Sequence, residues 1–303
     1  MPLSGTVDHS VTALDIINDA LRCCGVKDVE ETISGAQIDE ALRGLNNLVK
    51  TLQTSGLHLW KTREITVFYS ATRAFSLPGA HAAYDYVQTT ASGGSGTSLP
   101  VASTAGMAAA DIIGIEIGGD LEWTTIASVD SGLGLTLDDA MSSDPEPGAY
   151  VFTYTSTVDR PLRLHAGRRI IQGNEAPLRM VSREEYFRLS NKDATGKVVE
   201  AYYDPQLSAG ALYVWPIMDS PKDVIQFTAT VPIQDFDATT NNPDFPQEWY
   251  DPLVAMLAAR LAIKYQVPSA LYQMLKIEAE QAKAEVESWD REMASMQIVP
   301  RTS

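Results

Sequence analysis

Apolar positions recur with a period near 3.6 at both ends of this chain and with a period near 2 through its middle. Ala13, Leu14, Ile17, Ala20, Leu21 and Cys24 follow a Thr12/Asp15 start signal, and Gly25 stands where such a run ends, so a helix is predicted. Ser34 with Gln37 three residues on is a capping-box pair. It precedes Ile38, Ala41, Leu42, Leu45, Leu48, Val49 and Leu52, a second helical stripe expected to end near Gly56. The short connection between the two predicts an antiparallel helical hairpin. Segments 64–69 and 73–77 read as short strands, the second stopped by Pro78 and Gly79.

From Tyr84 the pattern changes. Charged residues thin out and Gly, Ser, Thr and Ala take over. Strand-like runs follow at 112–117, 123–129, 133–137 and 150–155, separated by Gly, Asp and Pro turns. Regular short strands with this punctuation predict a small all-β barrel or sandwich. The motifs at its two ends, Tyr84-Asp85-Tyr86-Val87 and Tyr150-Val151-Phe152-Thr153-Tyr154, are suited to pair as adjacent strands, as an insertion at 84–157 requires.

Beyond it, strands are expected at 162–165, 198–203, 211–215 and 224–231, with a turn at Asp204-Pro205. One short helix at 182–189 is capped by Ser182 with Glu185. The chain then returns to helical spacing. Pro246 suits a first turn, and Leu253, Met256, Leu257, Leu261 and Tyr265 form one apolar face before Pro268. A last helix from about Ser269 carries Leu271, Leu275, Ala279, Ala282, Val286, Trp289, Met293 and Met296. This narrow seam is the kind that meets one partner helix. The expected fold is therefore α+β: a helical bundle core (1–83 and 158–303) with a small β-sheet region, and an inserted small all-β barrel or sandwich domain (84–157).

Composition narrows the function. The 303 residues hold 23 Lys+Arg against 39 Asp+Glu, a formal net charge of -16, which disfavours nucleic-acid recognition because affinity there comes from cations displacing counterions. A hydrophobic content of 45 % with 20 % charged residues supports a real core. No stretch approaches the ~20 apolar residues of a membrane span. The start lacks a basic region followed by an apolar one, so neither a signal peptide nor a membrane partner is expected. The two cysteines, Cys23 and Cys24, are adjacent and cannot staple a fold.

Candidate chemistry is sparse. His9, His58, His81 and His165 lie far apart, with no second His or Cys within four residues, so no metal site is expected. The Gly93-to-Ser98 run lacks the lysine of a phosphate loop and misses the G-x-S-x-G nucleophile pattern. Carboxylate pairs such as Glu30/Glu31, Asp138/Asp139 and Glu184/Glu185 are the default of a chain this acidic. A glycosidase would need one of them raised in pKa and a second at a fixed distance. Arg168-Arg169 and Lys192/Lys197, the modest basic clusters, suit carboxylate pairing at a subunit contact as well as phosphate. No catalytic residue, metal or cofactor is nominated, and an enzyme is not expected.

Several segments resemble, in order, the head-to-tail adaptor proteins of short-tailed bacteriophages, also called head-completion or tail accessory factors. They are Ile16-Ile17-Asn18-Asp19-Ala20-Leu21, Leu45-Asn46 followed by Gly56-Leu57, Ala176-Pro177-Leu178 with Val181-Ser182-Arg183-Glu184-Glu185-Tyr186, Val199-Glu200-Ala201-Tyr202-Tyr203-Asp204, Leu212-Tyr213-Val214-Trp215-Pro216, and Phe245-Pro246-Gln247-Glu248-Trp249-Tyr250. Together they cover most of the chain outside 84–157, which the family's minimal members need not have. The resemblance implies a closed ring of about twelve copies docked on the portal protein at the head–tail junction of the virion, assembled in the host cytoplasm. Such a ring extends the channel, lets genome DNA pass without specific binding, and carries tail or nozzle proteins. The attachment surface is expected at the end of the last helix and in the tail, through Trp289, Met293, Met296, Ile298 and Val299, against the portal or a neighbouring copy. Two other readings stand beside it: a virion-associated cell-wall hydrolase, and a surface- or carbohydrate-binding module built on the β insertion and its Trp123.

Overall fold

The computed structural model describes residues 9–28, 30–54, 59–79, 81–130 and 132–290. The chain divides into two compact units, one made of 1–61 with 233–303 and the other of 62–232.

The first unit is helical. Helix α1 (Ala13–Cys23) opens on a reciprocal box, with Thr12 accepting from the Asp15 amide and the Asp15 carboxylate accepting from the Thr12 amide at 2.9 Å. Helix α2 (Gly35–Thr54) opens on the Ser34–Gln37 pair, whose amides and side chains exchange bonds of 3.1 and 3.4 Å. A 3₁₀ turn at Gln247–Trp249, entered from Pro246, leads into α4 (Tyr250–Lys264), and residues 265–268 join it to α5 (Ser269–Trp289). Both α1 and α2 pack on α4. Gly44 of α2 faces Leu257 and Leu261, with room for a methyl group at ordinary contact distance. Leu45, Leu48, Val49, Ile16, Ile17 and Leu21 complete that core.

The loop before α4 is held by side chains that imitate backbone. Asn46 donates to the Phe236 carbonyl at 3.0 Å and accepts from the Phe236 amide at 2.9 Å. The same loop supplies the carbonyls of Thr239 and Asn241 to the first amides of α1, groups that a helix start leaves unsatisfied. Trp60, Phe245 and Trp249 pack as an aromatic trio with centroids 5.0 to 6.5 Å apart.

The second unit holds two sheets. In the six-stranded one the order is β4 (Val87–Thr90), β9 (Tyr150–Tyr154), β6 (Ile112–Ile117), β7 (Asp120–Val129), β8 (Gly134–Leu137), β5 (Ser98–Pro100). The Ala91–Val101 bridge, with Ser92 donating to Pro100 and Ala102 to Thr90, joins the outer strands and closes the sheet into a barrel. Alternation along β9 explains its two faces. Val151 points into the barrel core with Ile113, Ile115, Leu135 and Leu137, while Phe152 and Tyr154 point out.

The eight-stranded sheet runs β2 (Ala74–Leu77), β13 (Gly210–Trp215), β12 (Glu200–Asp204), β11 (Asn174–Met180), β10 (Arg163–Ile171), β14 (Asp223–Thr230), β1 (Thr62–Phe68), β3 (Ala82–Ala83). Only the β11–β12 pair is parallel. Its outermost strands β2 and β3 are separated by only residues 78–81, so the sheet curls to bring its edges near one another. One face carries Ile65, Val67 and Phe227, and these side chains belong to one core with Phe68, Leu212, Val214 and with Phe152 and Tyr154 of the barrel. The other face is covered locally by α3 (Arg183–Phe187), where Tyr186, Tyr202 and Tyr213 stack. The expected cuts at 84 and 157 fall within this unit.

A helical bundle core is not what the protein builds. Among the described residues strand (31 %) exceeds helix (28 %), and two large curled sheets dominate. The reason lies in β10 and β11. Arg163, His165, Arg168, Arg169 and Glu175 place polar side chains on both faces of a long hairpin, so the period-2 signal is erased and only 162–165 looked extended.

Candidate functional site

The described part of the expected attachment surface is the end of α5. The seam predicted there is real but graded. Leu275 and Ala279 are buried, Leu271, Ala282 and Val286 are half-buried, and Trp289 is 72 % exposed. Helix lengths explain the gradient, since α5 has 21 residues and α4 only 15. At ~1.5 Å per residue α5 is longer by roughly 9 Å. Its last turns outrun the apolar face of α4 and lie instead beside the 3₁₀ turn and the first residues of α4.

A groove of about 420 Å³ forms there, lined by Pro252, Ala282, Val286 and Trp289 with Glu248, Asp251 and Glu285. The floor is apolar and the rim is carboxylate. None of the three rim acids makes an ion pair among the described residues. Other acids of this unit behave differently: Glu280 and Glu287 of α5 pair with Lys276 and Lys283, and Glu40 of α2 holds Lys264 at 3.2 Å. Met293, Met296, Ile298 and Val299, the rest of the expected surface, lie outside the described residues.

Other candidate chemistry is absorbed by the fold. Cys23 and Cys24 are both free. Cys24 donates to the Ala258 carbonyl of α4 at 3.1 Å, and burial, aided by Cys23, pushes its thiol up to about 11. Cys23 is exposed, and partial burial with Glu278 and Asp19 nearby also raises its pKa. The basic clusters are paired within the chain. Arg168 binds Glu64 at 2.8 Å and Glu175 at 3.2 Å, Arg169 donates to the Val198 carbonyl, and Lys197 sits between Asp219 and Asp223.

The Gly93-to-Ser98 run is a hairpin, with the Ser95 and Ser98 amides and carbonyls exchanging two bonds of 3.0 Å at the start of β5. His165 Nε2 lies 2.6 Å from the Thr230 hydroxyl, and burial lowers its pKa with help from Arg163. Trp123 is half-buried, with its ring against Gly114, Phe68, His81 and Tyr154, where the barrel meets the larger sheet. Among the described residues no group of three or more His, Cys, Asp or Glu is arranged to hold a metal ion, and no helix is long and apolar enough to cross a membrane.

Sequence reasoning nominated Trp289 but missed Glu248, Asp251, Pro252 and Glu285. Only the packing of α5 along α4 brings 248–252 beside 282–289, and no local pattern announces it. The sequence matches no protein-family model and no curated protein.

Proposed function

We propose that this protein is a head-to-tail adaptor of a short-tailed bacteriophage. Copies join in a closed ring that docks on the portal, lengthens the DNA channel and offers a platform to tail or nozzle proteins. The observation that carries the reading is the wet apolar surface of α4 and α5. Trp289, Met274, Ile263 and Ile277 are 72, 67, 64 and 53 % exposed. A ring subunit with neighbours and a portal above it would cover such side chains. The resemblance of the ordered motifs to adaptor proteins supports this particular assembly. The net charge of -16 suits a conduit that DNA must traverse without sticking.

Electron microscopy of the purified full chain, alone and mixed with its portal, tests the reading. The expected result is a ring of density added to one end of the portal. Portal particles unchanged by an excess of folded protein would sink it.

A further inference from the structure

The groove at the end of α5 has a definite chemistry, and it says what kind of segment belongs there. Its floor is hydrocarbon from Pro252, Ala282 and Val286, and Trp289 stands exposed on one side as a flat aromatic shelf. Its volume, about 420 Å³, falls within the roughly 300–1,000 Å³ of sites that enclose a small molecule or a few side chains. Around that floor stand three carboxylates that make no ion pair among the described residues, while Lys283, two residues from Glu285 on α5, is engaged with Glu287 at 3.4 Å. Like charges gathered without a counter-charge repel one another, so the arrangement gains most from an incoming cation. An indole face attracts the same cation from the side, and carboxylates give it charge-assisted hydrogen bonds.

We propose that this groove seats a peptide segment of a partner protein that presents an apolar side chain flanked by lysine or arginine. This names the chemistry of the partner at the attachment point, and to that extent it rests on the adaptor reading. The apolar side chain fills the floor and packs on Trp289. The flanking cations meet Glu248, Asp251 and Glu285. A nucleic acid is excluded by the sign of the rim. A groove-to-groove contact between two copies is disfavoured on the same ground, because it would bring the two sets of rim carboxylates together.

The test uses the full-length protein and two synthetic peptides of one length, one alternating leucine with lysine and the other leucine with glutamate, each followed by fluorescence anisotropy at moderate salt. The Leu/Lys peptide is expected to bind and the Leu/Glu peptide not. Trp289→Ala, and separately the triple neutralisation Glu248→Gln, Asp251→Asn, Glu285→Gln, are each expected to weaken binding about tenfold or more, as loss of an interface anchor does. A control triple, Asp138→Asn, Asp139→Asn, Asp144→Asn, removes equal charge from the barrel and is expected to leave binding within about twofold, the change that diffuse attraction alone allows. Equal weakening by the control triple, or equal binding of the Leu/Glu peptide, overturns the proposal.

Portal rings form the second arm. Groove variants that bind portal as tightly as the parent chain overturn the groove and leave the adaptor reading standing. Peptide binding that depends on the groove, in a protein that ignores portal, upholds the groove and overturns the adaptor reading. Sedimentation velocity across a concentration series is the third arm. Self-association that disappears in Trp289→Ala would assign the groove to a second copy and overturn the commitment to a different protein.

Discussion

Helices α4 and α5 are joined by residues 265–268 and pack along one another, yet they meet water in opposite ways. Of α4, Leu253, Leu257, Ala258, Leu261 and Ala262 are essentially inaccessible, and α1 and α2 cover faces that α5 does not. Of the 21 residues of α5 only Leu275 and Ala279 are buried, while Met274, Ile277 and Trp289 stand in solvent. Apart from Ile263, which is 64 % exposed near its end, the large apolar side chains of α4 are covered wholly or in part and are accounted for by the fold. The apolar residues of α5 on its open face are not accounted for in that way. Removing side chains from the two helices should therefore have unlike consequences.

The largest effect is expected at Leu257. Its side chain is fully buried and reaches Gly44 of α2, so Leu257→Ala leaves a cavity and should cost about 2–5 kcal/mol in urea unfolding. Ile277→Ala on α5 removes a similar side chain and should stay within about 0.5 kcal/mol of the parent. Equal losses would mean that the two helices are not divided as described.

The vicinal cysteines probe the same division from α1. Cys24 is buried against the Ala258 carbonyl of α4, and burial pushes its thiol up to about 11. A thiol held that high is almost wholly protonated at neutral pH and reacts slowly even before access is considered. Cys23 is exposed and near Glu278 of α5. A maleimide reagent should therefore label one thiol per native chain, mapped by mass spectrometry to Cys23, and two per chain in denaturant. Two fast labels in native buffer would show α4 to be open.

What the sequence disclosed follows the same physical line between local and distant causes. The helix starts at Thr12, Ser34 and Ser182, the helical stripes, the strands at 112–117 and 150–154 and the pairing of the latter with the segment that reaches Val87 depend on neighbours in sequence or on strong alternation. All of these were legible. The dominance of sheet was not, because β10 and β11 carry arginines on faces that look half-buried only after Glu64, Glu175 and Gln226 arrive to pair with Arg168. Strand β5 hid in a Gly/Ser run, since three residues, 98–100, hold too little alternation to be seen. Trp289 was picked out from the seam, but two of the three acids around it, Glu248 and Asp251, come from a segment some forty residues earlier.

A smaller effect, of opposite sign, is expected where α2 meets α4. Gly44 lies inside α2, where glycine costs about 1 kcal/mol relative to alanine, and a methyl group there would sit 3.5 Å from Leu257 and 3.7 Å from Leu261. These are ordinary contacts. Gly44→Ala should therefore stabilise the protein by about 0.5–1 kcal/mol, read as a higher urea midpoint at unchanged slope. A loss of stability would place α4 closer to α2 than the geometry allows.

The smallest effect on the fold is expected from the largest exposed side chain. A tryptophan in a core costs roughly 3–5 kcal/mol when cut to alanine, because its area returns to water and its cavity stays. Trp289 is 72 % exposed at the last residue of α5, so most of that area is already wet and little cavity is left behind. Helix propensity adds little, since alanine is the better helix former and the position is terminal. Trp289→Ala should thus unfold within about 0.5 kcal/mol of the parent, matching Ile277→Ala and not Leu257→Ala. A shift of 2 kcal/mol or more would make Trp289 part of the protein's own core. In that case the end of α5 would join α4 on the buried side of the comparison, with no side chain of its own left to present to a partner.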